Sequence, residues 1–336
     1  MEVKKSLIRR LSLVSPTALT KQENNNSFQL IDSTPGRYCC RLVRSLNYFK
    51  PLPKPLTMSD AWFAQKLAPD GDTTDGCHPD EAQALKAYLS GNSTPSQAAQ
   101  AITKPISHST DPNADLPRLW DLLTNALLEL PLSTIPSLVA LIRAIDALPP
   151  SDFSVLPEVR RPAHGQLWRA LPGFGHFWAD EYPSLRQWLN DGGNSKPAAE
   201  REAVIARSIR RAEVEARLAR EGLAGIPMHW GYECVADALE QSLAEVEAEI
   251  PAACKWVQVA GDRFREGAER GESSWGLERK RDLWDGEARG QMSVERWTFW
   301  IRQLRELEAD KKLSKVVGDA IRDCLGSIGE GIAEEK

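Results

Sequence analysis

From Asp115 to Pro150 the apolar residues fall into two helical stripes separated by one break. Leu119, Leu122, Leu123, Ala126 and Leu130 recur at three- and four-residue intervals until Pro131 interrupts them, and Asp115 is placed to cap their start. Ser133, Thr134 and Pro136 then signal a second start. Leu138, Leu141, Ile142, Ile145 and Leu148 form one face that runs to Pro149 and Pro150. So short a connection predicts an antiparallel hairpin. Upstream, a helix is expected over Pro79–Ser90, stopped by Gly91; Thr94 and Pro95 open another over Ser96–Thr103, followed by a polar loop over 103–115.

Downstream, residues 149–183 read as loop-rich with short helical pieces, their aromatics Phe153, Trp168, Phe174, Phe177 and Trp178 wrapping the hairpin. From Pro197 to Glu221 opposite charges stand three or four residues apart among alanines, the pattern of a long solvated helix with a narrow buried stripe, ended by Gly222. Further helices are expected at 232–249, 251–267, 293–309 and 312–325. The penultimate one places Trp297, Trp300, Ile301, Leu304 and Leu307 on one face, which makes Trp297 a core residue. The last places Leu313, Val316, Val317, Ala320, Ile321 and Cys324 together. No segment alternates like a strand and no fixed period recurs. The expected fold is all-α, an irregular multi-helix globular array built around antiparallel helix hairpins.

The pattern is absent before Met58. Residues 1–57 hold the polar stretch Gln22–Ser27, end on the proline-rich run Lys50–Pro55, and carry ten Lys or Arg against three acids, a net +7 in a chain whose total is −5. They read as a basic tail. A mitochondrial presequence, a disordered arm and an over-long start with the true beginning at Met58 are the open readings. Residues 58–336 are expected to form a single helical domain.

The remainder carries −12, which argues against a broad nucleic-acid surface. The 42% hydrophobic and 26% charged content is ordinary for a folded protein. No apolar run approaches a membrane span. The six cysteines, Cys39, Cys40, Cys77, Cys234, Cys254 and Cys324, form no disulfide framework and suit a reducing compartment, so a cytoplasmic location is expected, with mitochondria as the alternative.

Chemistry-bearing motifs are sparse. There is no phosphate-binding GxxxxGK[ST], and the glycines of Pro172-Gly173-Phe174-Gly175 follow no strand. A Gly-x-Ser-x-Gly elbow, HExxH and paired CxxC are also missing. Asp70, Asp72 and Glu81 stand at calcium-loop positions one, three and twelve, but the glycine required at position six is displaced to Gly76 by Asp75, so an acidic linker is the better reading. His164 and His176 flank the Trp168–Phe174 segment, and His229 precedes Trp230 with Glu233 nearby. Each histidine could move a proton near neutral pH. A packing role fits them better, and the eleven tryptophans mostly sit at the helical spacing of core residues.

Two patterns carry a resemblance. Trp168-Arg-Ala-Leu171-Pro172-Gly-Phe174-Gly175, and Leu283-Trp284 followed by Ser293-Val-Glu-Arg296-Trp297-Thr-Phe-Trp300 and Arg305-Glu-Leu307, are joined in order by Ala98-Ala99, Ile102-Thr103, the Leu119–Leu148 pair, Ala236-Asp237-Ala238-Leu239-Glu240 and Ala252-Ala253-Cys254-Lys255-Trp256. Over about residues 79–325 the chain resembles a fungal family known as domain of unknown function 3632. The resemblance implies an all-helical protein and brings no catalytic residue, metal or cofactor with it. Physically, Trp168, Leu171 and Phe174 suit core plugs around a turn set by Pro172, Gly173 and Gly175, and Arg296 suits a bridge to an acidic helix; Trp284, Trp297 and Trp300 complete the structural set.

The function expected from these residues is non-catalytic contact with a protein partner or a small apolar ligand. The alternative is an accessory enzyme or auxiliary protein of fungal specialised metabolism, with His176 or His229 in a tryptophan-lined pocket. An exposed apolar groove between helices would favour the first, and histidine converging with carboxylate in a concave site the second.

Overall fold

The structure is a computed structural model that describes residues 60–72, 75–162, 167–181, 185–310 and 312–333. The expected boundary at 57/58, Cys39, Cys40 and His164 lie outside these residues. Among them are twelve α-helices and no strand, so the fold is all-α; the nearest thing to a sheet is one antiparallel bridge between Ser273 and Gln291.

Three of the N-terminal helices start where a side chain satisfies their first amides. Helix α1 (Asp60–Leu67) is followed by a turn in which the Cys77 amide bonds to Lys66 O at 3.0 Å. A Cβ on Gly76 would lie 2.2 Å from Leu67 O, which is why the glycine stands there and not one place earlier. Helix α2 (Pro79–Leu89) is capped by His78 and Glu81 reciprocally, and α3 (Pro95–Ser107) by Thr94 and Gln97. Helix α3 outruns its expected end because Ile106 is buried in the core, so the polar loop shrinks to residues 108–111. The cap of α4 (Pro112–Glu129) is Asp111; Asp115 instead accepts from Ser109 Oγ at 2.5 Å.

After a single 3₁₀ turn α5 (Ile135–Asp146) follows, and the expected pairing of α4 with α5 exists but is minor. Helix α5 lies chiefly along α3, and α3 along α2. The reason is that α4 is buried nearly all round, from Leu116 through Trp120 to Leu128, and so divides its contacts among α3, α5, α6 (Phe174–Glu181) and α8 (Ala198–Arg220).

In the C-terminal half α10 (Val246–Arg270) is the axle, touching α8 (Ala198–Arg220), α9 (Met228–Leu239), α11 (Val294–Glu308) and α12 (Lys315–Ala333). Its approach to α9 is close: a Cβ on Gly231 would stand 2.4 Å from the Trp256 ring. Gly222, at φ +67°, follows α8 as expected. The stripe on α8 is not narrow, since Ala212, Val214, Glu215, Ala216, Leu218 and Ala219 are all buried against α10 and its neighbours. The expected helix over 232–249 is divided: α9 stops at Leu239 and α10 starts at Val246, with Pro251 inside it. On α11 Trp300, Ile301 and Leu304 are buried as expected, joined by Phe299 and Arg296, whereas Trp297 is only half-buried. On α12 Val317, Ile321 and Cys324 are buried, but Val316 is 64% exposed.

Glu81 gives this packing a pH dependence. Its carboxylate accepts from the His78 amide at 2.9 Å yet is buried, and burial pushes its pKa from 4.5 up to about 7. The folded chain therefore holds a proton that the unfolded chain has lost, so stability contributed here falls as pH rises from about 4.5 through 7. Glu81→Gln keeps the capping geometry without the charge. Its expected effect is a higher melting temperature than the parent at pH 8 and little difference at pH 5; thermal melts across that range check it, and a variant less stable at pH 8 would contradict it.

Candidate functional site

The Trp168–Gly175 motif builds a tight, strained turn. Ala170 and Leu171 have φ of +61° and +47°, and Gly173 has +80°. Three contacts hold it: the Ala170 amide donates to the Asp146 carboxylate at 2.7 Å, Trp120 Nε1 donates to Pro172 O at 3.1 Å, and Trp168 Nε1 donates to Ser151 Oγ at 3.2 Å. Trp168, Leu171 and Phe174 are buried while Pro172 is exposed, and Phe174 meets Trp120 edge-on at 5.4 Å. Gly175 is required by proximity, because a Cβ there would stand 3.0 Å from Ala224 O. A cleft of about 390 Å³ opens beside this turn, lined by Leu148, Pro150, Trp168 and Arg169.

The second motif converges on Glu240. This residue ends α9, where the helix dipole disfavours a carboxylate, and it is fully buried. Arg296 Nε donates to its Oε1 at 2.9 Å and Trp300 Nε1 donates to the same atom at 2.8 Å; Arg281 lies 4.0 Å from Oε2. Burial raises the Glu240 pKa, with Arg296 the largest opposing influence. Arg296 also donates to the carbonyls of Ala288 (3.1 Å) and Gln291 (2.5 Å), and its guanidinium lies 4.9 Å from the Trp284 ring centroid. One turn earlier on α9, Asp237 accepts from Arg279 and Arg281, and Arg186 reaches both Asp237 (3.5 Å) and Glu249 (2.6 Å). The acids and arginines thus form a brace, buried at Glu240, Arg281 and Arg296 and reaching solvent at Arg279, that ties α9, α10 and α11 to the loop over 278–293. Of this brace, Arg186, Arg279 and Arg281 carry no signal in the sequence: they sit in short or irregular segments with no period or motif to single them out.

The loop secured by Arg296 forms one wall of a second cleft, of about 380 Å³, lined by Ser273, Ser274, Trp275, Glu278, Arg289, Gly290 and Gln291. Trp275 is 53% exposed, and its ring meets His229 of α9 at 4.7 Å. Ser274 Oγ is buried with no hydrogen-bond partner. His229 is half-buried, and burial lowers its pKa, favouring the uncharged ring. His176 is exposed on α6. Neither histidine lines either cleft, and neither cleft is an apolar groove between two helices. Among the described residues no group of three His, Cys, Asp or Glu could hold a metal ion, and no helix is long and apolar enough to cross a membrane.

No curated protein and no solved structure matches the chain. A family sequence profile matches residues 120–304, more than half of the chain, from Trp120 of α4 to Leu304 of α11. The match encloses the Trp168–Gly175 motif, the second motif as far as Leu304 and the Trp275 cleft, and on its extent the chain belongs to the family described as "Protein of unknown function (DUF3632)".

Proposed function

We propose that this chain is a non-catalytic binding protein of the fungal cytoplasm and that the cleft at Trp275 is its contact site. The observation that supports this is an exposed indole at the start of a 3₁₀ turn (Trp275–Leu277), beside a loop secured by the buried Arg296–Glu240 ion pair. Large aromatics left half in solvent on a rigid support are the residues that most often dominate binding energy. The four described cysteines are free thiols, which suits a reducing compartment. Trp275→Ala should leave the melting temperature within about 2 °C of the parent, since an exposed side chain contributes little to folding. In quantitative affinity purification from the native cells, species retained by the parent and by the control Val155→Ala, also exposed, should fall at least tenfold with Trp275→Ala; equal recovery by all three would overturn the reading.

A further inference from the structure

The hydrogen bonds around the Ser273–Gln291 bridge reveal an open edge. The Ser274 amide donates to Gly290 O at 2.7 Å and the Met292 amide to Glu272 O at 2.8 Å, so the bonds flank the bridged pair and leave each member's own N–H and C=O turned outward. On one side the outward carbonyl of Gln291 is taken by Arg296. On the other side the N–H and C=O of exposed Ser273 have no partner among the described residues. That free edge is one residue long, and the extended Ser274 carries it to Trp275, which opens a 3₁₀ turn. Beside it stand the unpartnered Ser274 Oγ and side chains of both signs, Glu278 and Arg289.

Resting on the binding reading above, we infer that the cleft takes an extended peptide segment, added as a strand along Ser273 with an aromatic side chain laid on Trp275. An extended peptide offers at one residue both the acceptor and the donor that the Ser273 edge lacks, and its next side chains fall at the spacing of the neighbouring cleft positions. A flat aromatic ligand would use Trp275 but leave the edge unmet. The mixed charges of Glu278 and Arg289 suit a polar backbone flanked by either sign better than a strongly anionic or cationic partner.

The test uses the full chain and an immobilised library of seven-residue peptides, each with one central Trp, Tyr or Phe. Binders should be recovered by the parent and lost at least tenfold with Trp275→Ala. The best binder is then resynthesised with one amide N-methylated at a time. Strand addition predicts that methylation of the amide facing Ser273 O weakens binding at least tenfold while methylation of its immediate neighbours, which point away, is tolerated. Equal tolerance at every amide would overturn the strand mode and leave side-chain docking at Trp275 standing. Recovery of no peptide would overturn the inference while the affinity purification still reports on the binding reading, and peptides bound equally by Trp275→Ala would overturn both.

Discussion

Arg296→Met is expected to cost about 3–5 kcal/mol of folding stability, the usual consequence of removing one partner from a buried ion pair. Set against a total of roughly 5–15 kcal/mol, this brings the chain close to unfolding at 37 °C. The cause is what stays behind: Glu240 is fully buried at the end of α9, with Trp300 Nε1 and a guanidinium 4.0 Å away as its remaining compensation. The carbonyls of Ala288 and Gln291 lose their donor at the same time, which frees the wall of the Trp275 cleft. Chemical denaturation at neutral pH checks the magnitude. The double variant Arg296→Met with Glu240→Gln should recover part of the loss, since no charge then remains unpaired. The single variant should also regain stability as pH falls: with Arg296 gone, the folded-state pKa of Glu240 rises further, and a carboxyl with a raised folded pKa favours the folded state on the acid side. A loss under about 1 kcal/mol would mean that water solvates the carboxylate and that the brace is not dry.

That Arg296 bridges to an acidic helix is legible in the sequence, but which carboxylate it meets is not, and the reason is distance along the chain. Glu240 and Arg296 are 56 residues apart, and neither periodicity nor capping rules relate them. The break between α9 and α10 has the same origin. Residues 240–245 contain no glycine or proline to end a helix, so local propensity continues one through them. Tertiary contacts end it instead: Glu240 turns in to Arg296, and the Ser242 amide donates to Asp282 at 3.0 Å. Where local and tertiary signals agree, as at the Thr94 cap with Pro95 behind it or the α8 stop at Gly222, the sequence is sufficient. The Trp275 cleft had no comparable signal. Its residues come from a short 3₁₀ turn and the irregular segments around it, none of which has a period, and its open edge exists only because Ser273 and Gln291 are brought side by side.

The face of α11 shows how a charge in a core misleads. An apolar count leaves arginine out of the stripe, which it centres on Trp297, Trp300, Ile301, Leu304 and Leu307 even though Arg296 suits a bridge to an acidic helix. Because Arg296 points inward to Glu240, the helix is rotated: Phe299 is buried and Trp297 moves to the margin. That rotation separates two substitutions that look alike in the sequence. Trp300→Ala removes a fully buried indole and leaves a cavity, a change that typically costs about 3–5 kcal/mol. It also strips the Glu240 carboxylate of a 2.8 Å donor, for which about 1–3 kcal/mol more is the usual penalty. Trp297 has no hydrogen bond of this kind. It is half-buried, edge-on to Phe264 at 6.3 Å, and its loss should cost roughly 1–2 kcal/mol, within the ordinary range for a partly buried side chain. Trp300→Phe separates the two parts of the larger effect, since it keeps most of the ring volume and loses the indole donor. Urea titrations of the three variants should rank them Trp300→Ala, Trp300→Phe, Trp297→Ala in order of decreasing loss. If Trp297→Ala were as damaging as Trp300→Ala, the packing face of α11 would have to be turned back toward Trp297, and the contact between Arg296 and Glu240 could not be what orients the helix.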